Sequence, residues 1–258
     1  MRPGIKGRKN GKRSVEDLKF FLVAADHNYY LCGMSVNLPA YNKVIAELAP
    51  HKARLVAVSK VKPAADIQAL YDAGQRIFGE NYVQELQEKQ PILPADIEWH
   101  FIGHLQSNKV KYIAPFVSMI HAVDSLRLLE EINKQAARHH RIIHCLLQVH
   151  IAEEETKFGL DETELTDLLT QWKDQADKFK NIRIAGFMGM ATNTDNMEQV
   201  RAEFRHLKAL QQQLKASFAP DGDQLTELSI GMSGDYTIAL EEGSTMVRIG
   251  SMLFGARY

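Results

Sequence analysis

The sequence predicts an α/β protein built as a single (β/α)8 TIM barrel, and three observations carry that expectation. Short β-branched runs alternate with helical patterns from Arg54 onward, the signature of βα units around a parallel sheet. The runs number eight. A chain of 258 residues is long for one compact core but ordinary for an α/β barrel, which reaches this size as one domain.

A helical pattern, LPAYNKVIAELA, precedes the first strand, RLVAVSK (54 to 60). AADIQALYDAG then leads to RIFGEN (76 to 81), and YVQELQEKQ to EWHFIG (98 to 103). The middle of the chain continues with SNKVKYIA, the strand SMIHAVD (118 to 124), SLRLLEEINKQAARH, and the strand IHCLLQVHI (143 to 151). After DETELTDLLTQWKDQADKF come IRIAGFMGMA (182 to 191) and the long helix NMEQVRAEFRHLKALQQQLKAS. TELSIGM (226 to 232), DYTIALEEG and MVRIGSMLFG (246 to 255) complete the eight, so the barrel is expected to close at about Phe254. A doubly wound open sheet is the alternative, but no strand runs into a Gly-x-Gly-x-x-Gly turn with an acidic partner, so dinucleotide binding lacks support.

Charge nearly balances, with a formal net charge of −1, which gives no sign of a nucleic-acid protein. No apolar run approaches the length of a membrane span. The two cysteines, Cys32 and Cys145, are too few for a disulfide framework or a cysteine-based metal site and fit a reducing, cytoplasmic compartment. The amino terminus differs from the rest: residues 1 to 33 hold seven basic and three acidic residues, leaving 24 basic and 29 acidic, a net of −5, in residues 34 to 258. The short FFLVAA run follows two acids and is interrupted by Asp26 and His27, unlike a signal peptide. Residues 1 to 33 are therefore read as a basic upstream extension or misassigned start, and Met34 as the opening of the functional domain, 34 to 258.

In a barrel, the polar residues to question lie where strands give way to loops. Here they are Lys60, Asn81, His104, Ser233, and Arg248 with Gly250 and Ser251. Side chains alternate along a strand, so Val56, Val58 and Lys60 share one face while Leu55, Ala57 and Ser59 share the other. Lys60 thus continues an apolar face, where poor hydration lowers an amine's pKa and frees it to attack carbonyls. A lysine that ends a strand and snorkels to water is the plainer alternative. In the seventh and eighth units, where many barrels bind phosphate, Gly231, Gly234 and Gly250 allow close backbone approach, and Ser233 and Ser251 add hydroxyls. These glycines would also serve as turn formers, and Ser233 as a helix cap. Arg248 shares parity with Met246 and Gly250 and should face the mouth, with Asp235 as a structural partner or a ligand as a functional one. A lysine amine, a phosphate cradle and an arginine donor together suit an aromatic aldehyde phosphate whose ring nitrogen accepts a hydrogen bond, namely pyridoxal 5′-phosphate.

The stretches AVSKVKP, RIFGENYVQE, EWHFIGHLQSNK and SIGMSGDYTIALEEGSTMVRIGSMLFGAR, with the spacings between them, resemble the YggS/PROSC-type pyridoxal phosphate homeostasis family from about Met34 to Tyr258. That family resembles the N-terminal barrel domain of alanine racemase. The resemblance implies Lys60 as the Schiff-base lysine, Arg248 as partner of the pyridine nitrogen, Ser233, Gly250 and Ser251 as phosphate ligands, and Asn81 near the cofactor. Two departures stand out: the leader has no counterpart in the family pattern, and Ser251 occupies a position where threonine is frequent, which keeps the hydroxyl.

Other signals are weaker. Lys157 falls in the loop after the fifth strand, either as a solvated lysine or as a residue that holds a second pyridoxal phosphate or passes cofactor onward. His100, His121 and His150 lie within strand runs without a zinc spacing and are expected as satisfied core or mouth histidines. Met188 and Met190 are expected to pack the barrel interior or a cofactor face. Functionally, the expectation is a non-catalytic, monomeric carrier that holds pyridoxal phosphate and supplies apoenzymes. An amino-acid racemase is the alternative, and a Schiff-base aldolase a more distant one. A two-base racemase would need a second base from a domain beyond the barrel, and an arginine at the ring nitrogen leaves that nitrogen unprotonated and a poorer electron sink.

Overall fold

A computed structural model describes residues 36 to 153, 158 to 220 and 222 to 255. The expectations for the leader, Cys32, Met34 and Lys157 lie outside the described residues. Eight parallel strands close into a barrel in sequence order: β1 (Arg54–Val58), β2 (Ile77–Glu80), β3 (Glu98–Phe101), β4 (Met119–Val123), β5 (Ile143–Gln148), β6 (Ile182–Met188), β7 (Glu227–Ser229) and β8 (Met246–Ile249). Each coincides with a run expected from the sequence. Closure is made by β1 against β8, with Val56 opposite Arg248 and Ala57 opposite Ile249.

The helices are α1 (Leu38–Leu48), α2 (Ala64–Asp72), α3 (Val83–Lys89), α4 (Val110–Ile113), α5 (Leu126–Arg138), α6 (Glu162–Asp174), α7 (Met197–Phe218), α8 (Tyr236–Glu241) and α9 (Ser251–Phe254). Their starts are written locally. Asn37 and Ser125 accept N–H bonds at the heads of α1 and α5, and Asp161 and Glu164 form a reciprocal capping box on α6. Such caps contribute roughly 1 kcal/mol each by satisfying N–H groups that have no partner within the helix.

Strand parity sorts the core into two shells. Leu55, Ala57, Phe78, Trp99, Phe101, Ile120 and their like face the surrounding helices. Val56, Met119, Ala122, Leu146, Ala185, Met188 and Met246 form a second cluster, with Ile77, Ile102 and Met190 packed on it. They fill the barrel interior, as expected for Met188 and Met190, and register shifts between β4 and β5 and between β5 and β6 bring residues of both parities inward there. The interior is not wholly apolar, since His100, His121, Ser229 and Arg248 are also buried.

The strand ends depart from expectation. The eighth run does not continue to residue 255: β8 stops at Ile249, and Ser251–Phe254 turn into α9. The reason lies at Gly250, whose carbonyl accepts the N–H groups of Leu253 and Phe254 and so opens a helix. The fifth, sixth and seventh runs are likewise shorter, because residues such as Val149, Ala191 and Ile230 are buried beyond the last regular ladder pair. Apolar character continues into the loops, so periodicity alone cannot mark where pairing stops.

Candidate cofactor site

The carboxyl ends of β1, β2, β7 and β8 bring the expected residues to one sector of the barrel. Lys60 sits two residues past β1, half-buried, in a turn closed by the Lys62 N–H on the Ser59 carbonyl (3.1 Å). Its neighbour Lys62 donates its Nζ to the Phe254 carbonyl at 2.6 Å, which ties that amine to the end of α9. On the adjoining strand, the Gly250 backbone lies so close to β1 that a Cβ there would meet the Val58 carbonyl oxygen at 3.1 Å. A side chain would press the β8 exit away from the strand that carries Lys60. The loop after β7 is drawn to β8 by the Arg248 N–H on the Gly231 carbonyl (2.9 Å). This brings the Ser251 and Ser233 hydroxyls to 3.2 Å of each other, two donors from separate loops at one point. Gly231 needs its lack of a side chain here: its φ is +92°, and a Cβ would meet the Ala239 methyl at 2.6 Å.

Arg248 is the buried cation of the interior. Its Nη1 donates to the Ser229 carbonyl (2.6 Å) and hydroxyl (2.7 Å), and its Nη2 to the Gly189 carbonyl (3.1 Å). Burial pushes its pKa down to about 10, with Asp235 acting in the opposite sense through its charge. The guanidinium therefore stays protonated near neutral pH. These three bonds leave part of its five-donor capacity for a further acceptor.

Behind Arg248 runs a chain that sequence reasoning did not assemble. Ser229 Oγ lies 3.1 Å from His121 Nδ1, and His121 Nε2 lies 3.0 Å from His100 Nδ1. Burial lowers the pKa of His100 to about 3 and that of His121 well below its usual value, helped by the neighbouring cations. Both rings are neutral. They are satisfied core histidines, as expected, and they also brace the partner of Arg248. The available signal was parity: polar residues at interior positions of β3, β4, β7 and β8 must find one another. His150, half-buried, lies beyond β5, where its backbone N–H donates to the Leu160 carbonyl (3.0 Å).

Two expected residues behave differently. Asn81 follows β2, and its Oδ1 is buried with no hydrogen-bond partner among the described residues. Unpaired buried acceptors are uncommon and costly, and a ligand N–H or O–H would satisfy this one. Its position is fixed from behind, because a Cβ on Gly103 would meet the Asn81 carbonyl oxygen at 2.5 Å. His104 turns instead toward Asp124 (Nδ1 to Oδ2 3.4 Å) and stacks on Phe158 with ring centroids 5.0 Å apart. It borders a cleft of about 520 Å³ shared with Asp124, Ser125 and Arg127, on the β3–β4 side of the mouth.

Together these features match the groups of pyridoxal phosphate. The Lys60 amine would take the aldehyde, the protonated Arg248 guanidinium a ring nitrogen, the paired Ser233 and Ser251 hydroxyls a phosphate, and the Asn81 acceptor a hydroxyl. The residues present fit the group. Among the described residues, no cluster of three His, Cys, Asp or Glu is placed to hold a metal ion, and Cys145 is buried with its thiol pKa pushed up.

Comparison with known proteins agrees with this chemistry. The family model for the alanine racemase N-terminal domain matches residues 39–258. A pyridoxal phosphate homeostasis protein from Aquifex aeolicus is 39% identical over 206 residues, 80% of this chain and 87% of the relative. The chain belongs to the pyridoxal phosphate homeostasis family, built on the alanine racemase N-terminal domain. Another member, from Synechocystis, is 39% identical over 224 residues, covering 84% of this chain and 97% of its own. Among solved structures, PipY of Synechococcus elongatus with pyridoxal phosphate bound superposes with a TM-score of 0.76 at 35% identity, over 84% of this chain and 99% of PipY. The barrel of the alanine racemase type expected from the sequence is thus the observed fold.

Proposed function

We propose that this chain binds pyridoxal 5′-phosphate at the barrel mouth, holds its aldehyde on the Lys60 amine, and serves cytoplasmic homeostasis of the cofactor by retaining it and releasing it to apoenzymes. The observation that carries the proposal is the convergence of Lys60, Asn81, Ser233, Arg248, Gly250 and Ser251 from four strand ends, in a family whose named members are pyridoxal phosphate homeostasis proteins. The cofactor supplies an aldehyde that condenses reversibly with primary amines. Lys60 offers the amine at the β1 exit, while the Lys62 Nζ donates to the Phe254 carbonyl at the end of α9. Ser233 and Ser251 donate hydroxyls to the phosphate. Arg248 donates an N–H toward the ring nitrogen and, being always protonated at working pH, can neither accept nor store that nitrogen's proton.

This last point separates retention from turnover. A carboxylate partner would hold a proton on the ring and make it a strong electron sink, whereas the Arg248 donor, locked by Ser229 and Gly189, does not. No helix among the described residues is long and apolar enough to cross a membrane.

The test has two arms. Borohydride reduction of the cofactor-loaded protein, followed by peptide mapping, should place a pyridoxyl mass on the Lys60 peptide; a label mainly on Lys62 or Lys157 would overturn the assignment. Incubation with amino acids in deuterated water should give negligible Cα exchange or D-isomer, while a cofactor-free enzyme regains activity faster than with free cofactor plus a scavenger. Amino-acid turnover at about 1 per second or faster, typical of enzymes, would replace the carrier with a racemase.

A further inference from the structure

The turn that carries Lys60 is held in a conformation its own residues disfavour. Val61 has φ +61°, in the left-handed region where a β-branched residue is an outlier. Its side chain is 61% exposed, so packing of the isopropyl group is not what holds it there. The backbone N–H of Val61 instead donates to Glu85 Oε2 at 2.8 Å. Glu85, on α3, also accepts from Lys89 Nζ at 2.7 Å. Lys89 is 8% exposed and donates further to Glu80 Oε1 at 2.7 Å and to the Ser59 carbonyl at 2.9 Å. Ser59 Oγ donates to the same Glu80 oxygen at 2.7 Å. The residues on either side of Lys60 are thus gripped by one buried knot from β2 and α3.

We propose that the Glu80–Glu85–Lys89 knot is a positioning device that sets the backbone at Lys60 for capture of the cofactor's aldehyde. The plainer reading is that Lys89 merely neutralises a buried Glu80. It accounts for one of the bonds, but not for the grip on Ser59 and Val61 or for a valine kept at positive φ. Nor is the knot arranged for stability alone. Buried ion pairs commonly break even against apolar replacements, and Glu80 Oε2 is buried with no partner among the described residues. Burial accordingly raises the Glu80 pKa despite the Lys89 charge. Strain maintained by surrounding contacts is a recurring feature of residues that must be presented in one geometry, and reaction rates respond steeply to such placement.

The inference rests on Lys60 being the aldehyde-binding residue, and the experiment keeps the two apart. Stopped-flow absorbance measures the rate at which cofactor-free protein captures pyridoxal phosphate, thermal melting measures fold, and hydrogen exchange reads the Val61 amide directly. Glu85→Ala should slow capture about tenfold or more and deprotect the Val61 amide. Glu85→Gln, which keeps a side-chain carbonyl for that N–H, should stay within about threefold of the parent. Val61→Gly combined with Glu85→Ala should recover most of the lost rate without recovering the melting temperature, because glycine adopts positive φ freely. Val61→Pro leaves the Lys89 ion pairs in place but removes the N–H that Glu85 accepts and forbids positive φ, so it should slow capture as Glu85→Ala does. Wild-type capture by Glu85→Ala and Val61→Pro, or a double variant as slow as Glu85→Ala, would overturn the positioning role. A borohydride label on a lysine other than Lys60 in the parent protein would overturn the Lys60 assignment instead.

Discussion

Burial alone drives a guanidinium toward neutrality, yet Arg248, 5% exposed, is shifted only to about 10. The Asp235 charge offsets part of that burial, and the carbonyl and hydroxyl oxygens of Ser229 and Gly189 take the guanidinium's donors. The proposed phosphate end of the site is built in the opposite way. Ser233 is half-buried and Ser251 exposed, so in the proposed site their hydroxyls would serve the ligand without bearing on the core. The paired change Ser233→Ala and Ser251→Ala should therefore weaken cofactor retention while leaving the melting temperature of the cofactor-free protein in place. Each lost hydrogen bond to a charged phosphate is worth roughly 1.5 to 3 kcal/mol, about tenfold or more in affinity. Equilibrium dialysis against pyridoxal phosphate reads the difference, and retention equal to the parent would locate the phosphate elsewhere. Single residues of this kind were legible in the sequence. Parity singled out Lys60, two residues past β1, and Arg248, buried on β8, as residues to question, and the family resemblance supplied their expected roles. The contacts that brace them were not, because Val61 and Glu85 are 24 positions apart and Arg248 and Ser229 are 19 apart. Which polar pairs meet is decided by strand register and helix placement, which no local pattern encodes.

At the scale of the element, every strand and every helical segment expected from periodicity exists, because β-branched runs and amphipathic spacing are local consequences of which face is buried. The ends are another matter, as the conversion of residues 251 to 254 from expected strand to helix demonstrates. One glycine fixes the packing of two whole strands. Gly186 on β6 lies opposite Glu227 on β7, and an added Cβ would overlap the Glu227 carbonyl oxygen, with the Glu227 backbone nitrogen and carbon at 2.8 and 2.7 Å. The obstructing atoms are backbone and cannot rotate aside. They also belong to the strand whose last residue, Ser229, holds Arg248. Gly186→Ala should therefore destabilise the protein by about 3 kcal/mol or more, at the upper end of overpacking costs, measured by chemical denaturation. It should also loosen cofactor binding through displacement of β7. A variant within about 0.5 kcal/mol of the parent, the range of ordinary surface changes, would show that the β6–β7 pair has room that the spacing denies.

At the scale of the whole molecule, the buried histidines make stability depend on pH. His100 has a pKa near 3 in the folded protein and His121 one well below 6.5, and His144 is lowered in the same sense by desolvation and Arg183. Unfolding returns each ring to water, where it titrates near 6.5. Below that pH the unfolded chain binds more protons than the folded one, so the stabilising contribution is complete above about 6.5 and is lost as pH falls toward the folded-state values. Glu80 opposes this trend: its raised pKa means that the folded state takes up a proton above the pH at which the unfolded state does. Three histidines against one carboxyl leave the histidines dominant over most of the acid range. Stability should hold from pH 7 to 8 and then fall between pH 6.5 and 5, with a slope approaching about 1.4 kcal/mol per pH unit for each histidine that titrates. His121→Gln removes one of these groups from both states. It should be less stable at pH 7, where Ser229 and His100 lose their partner, but should show a slope shallower by about one proton between pH 6 and 5. Denaturation curves over this range, with proton uptake on unfolding measured in buffers of different ionisation enthalpy, give both quantities. Equal slopes in the parent and the variant would mean that His121 is protonated within the fold, and that the chain behind Arg248 carries a charge.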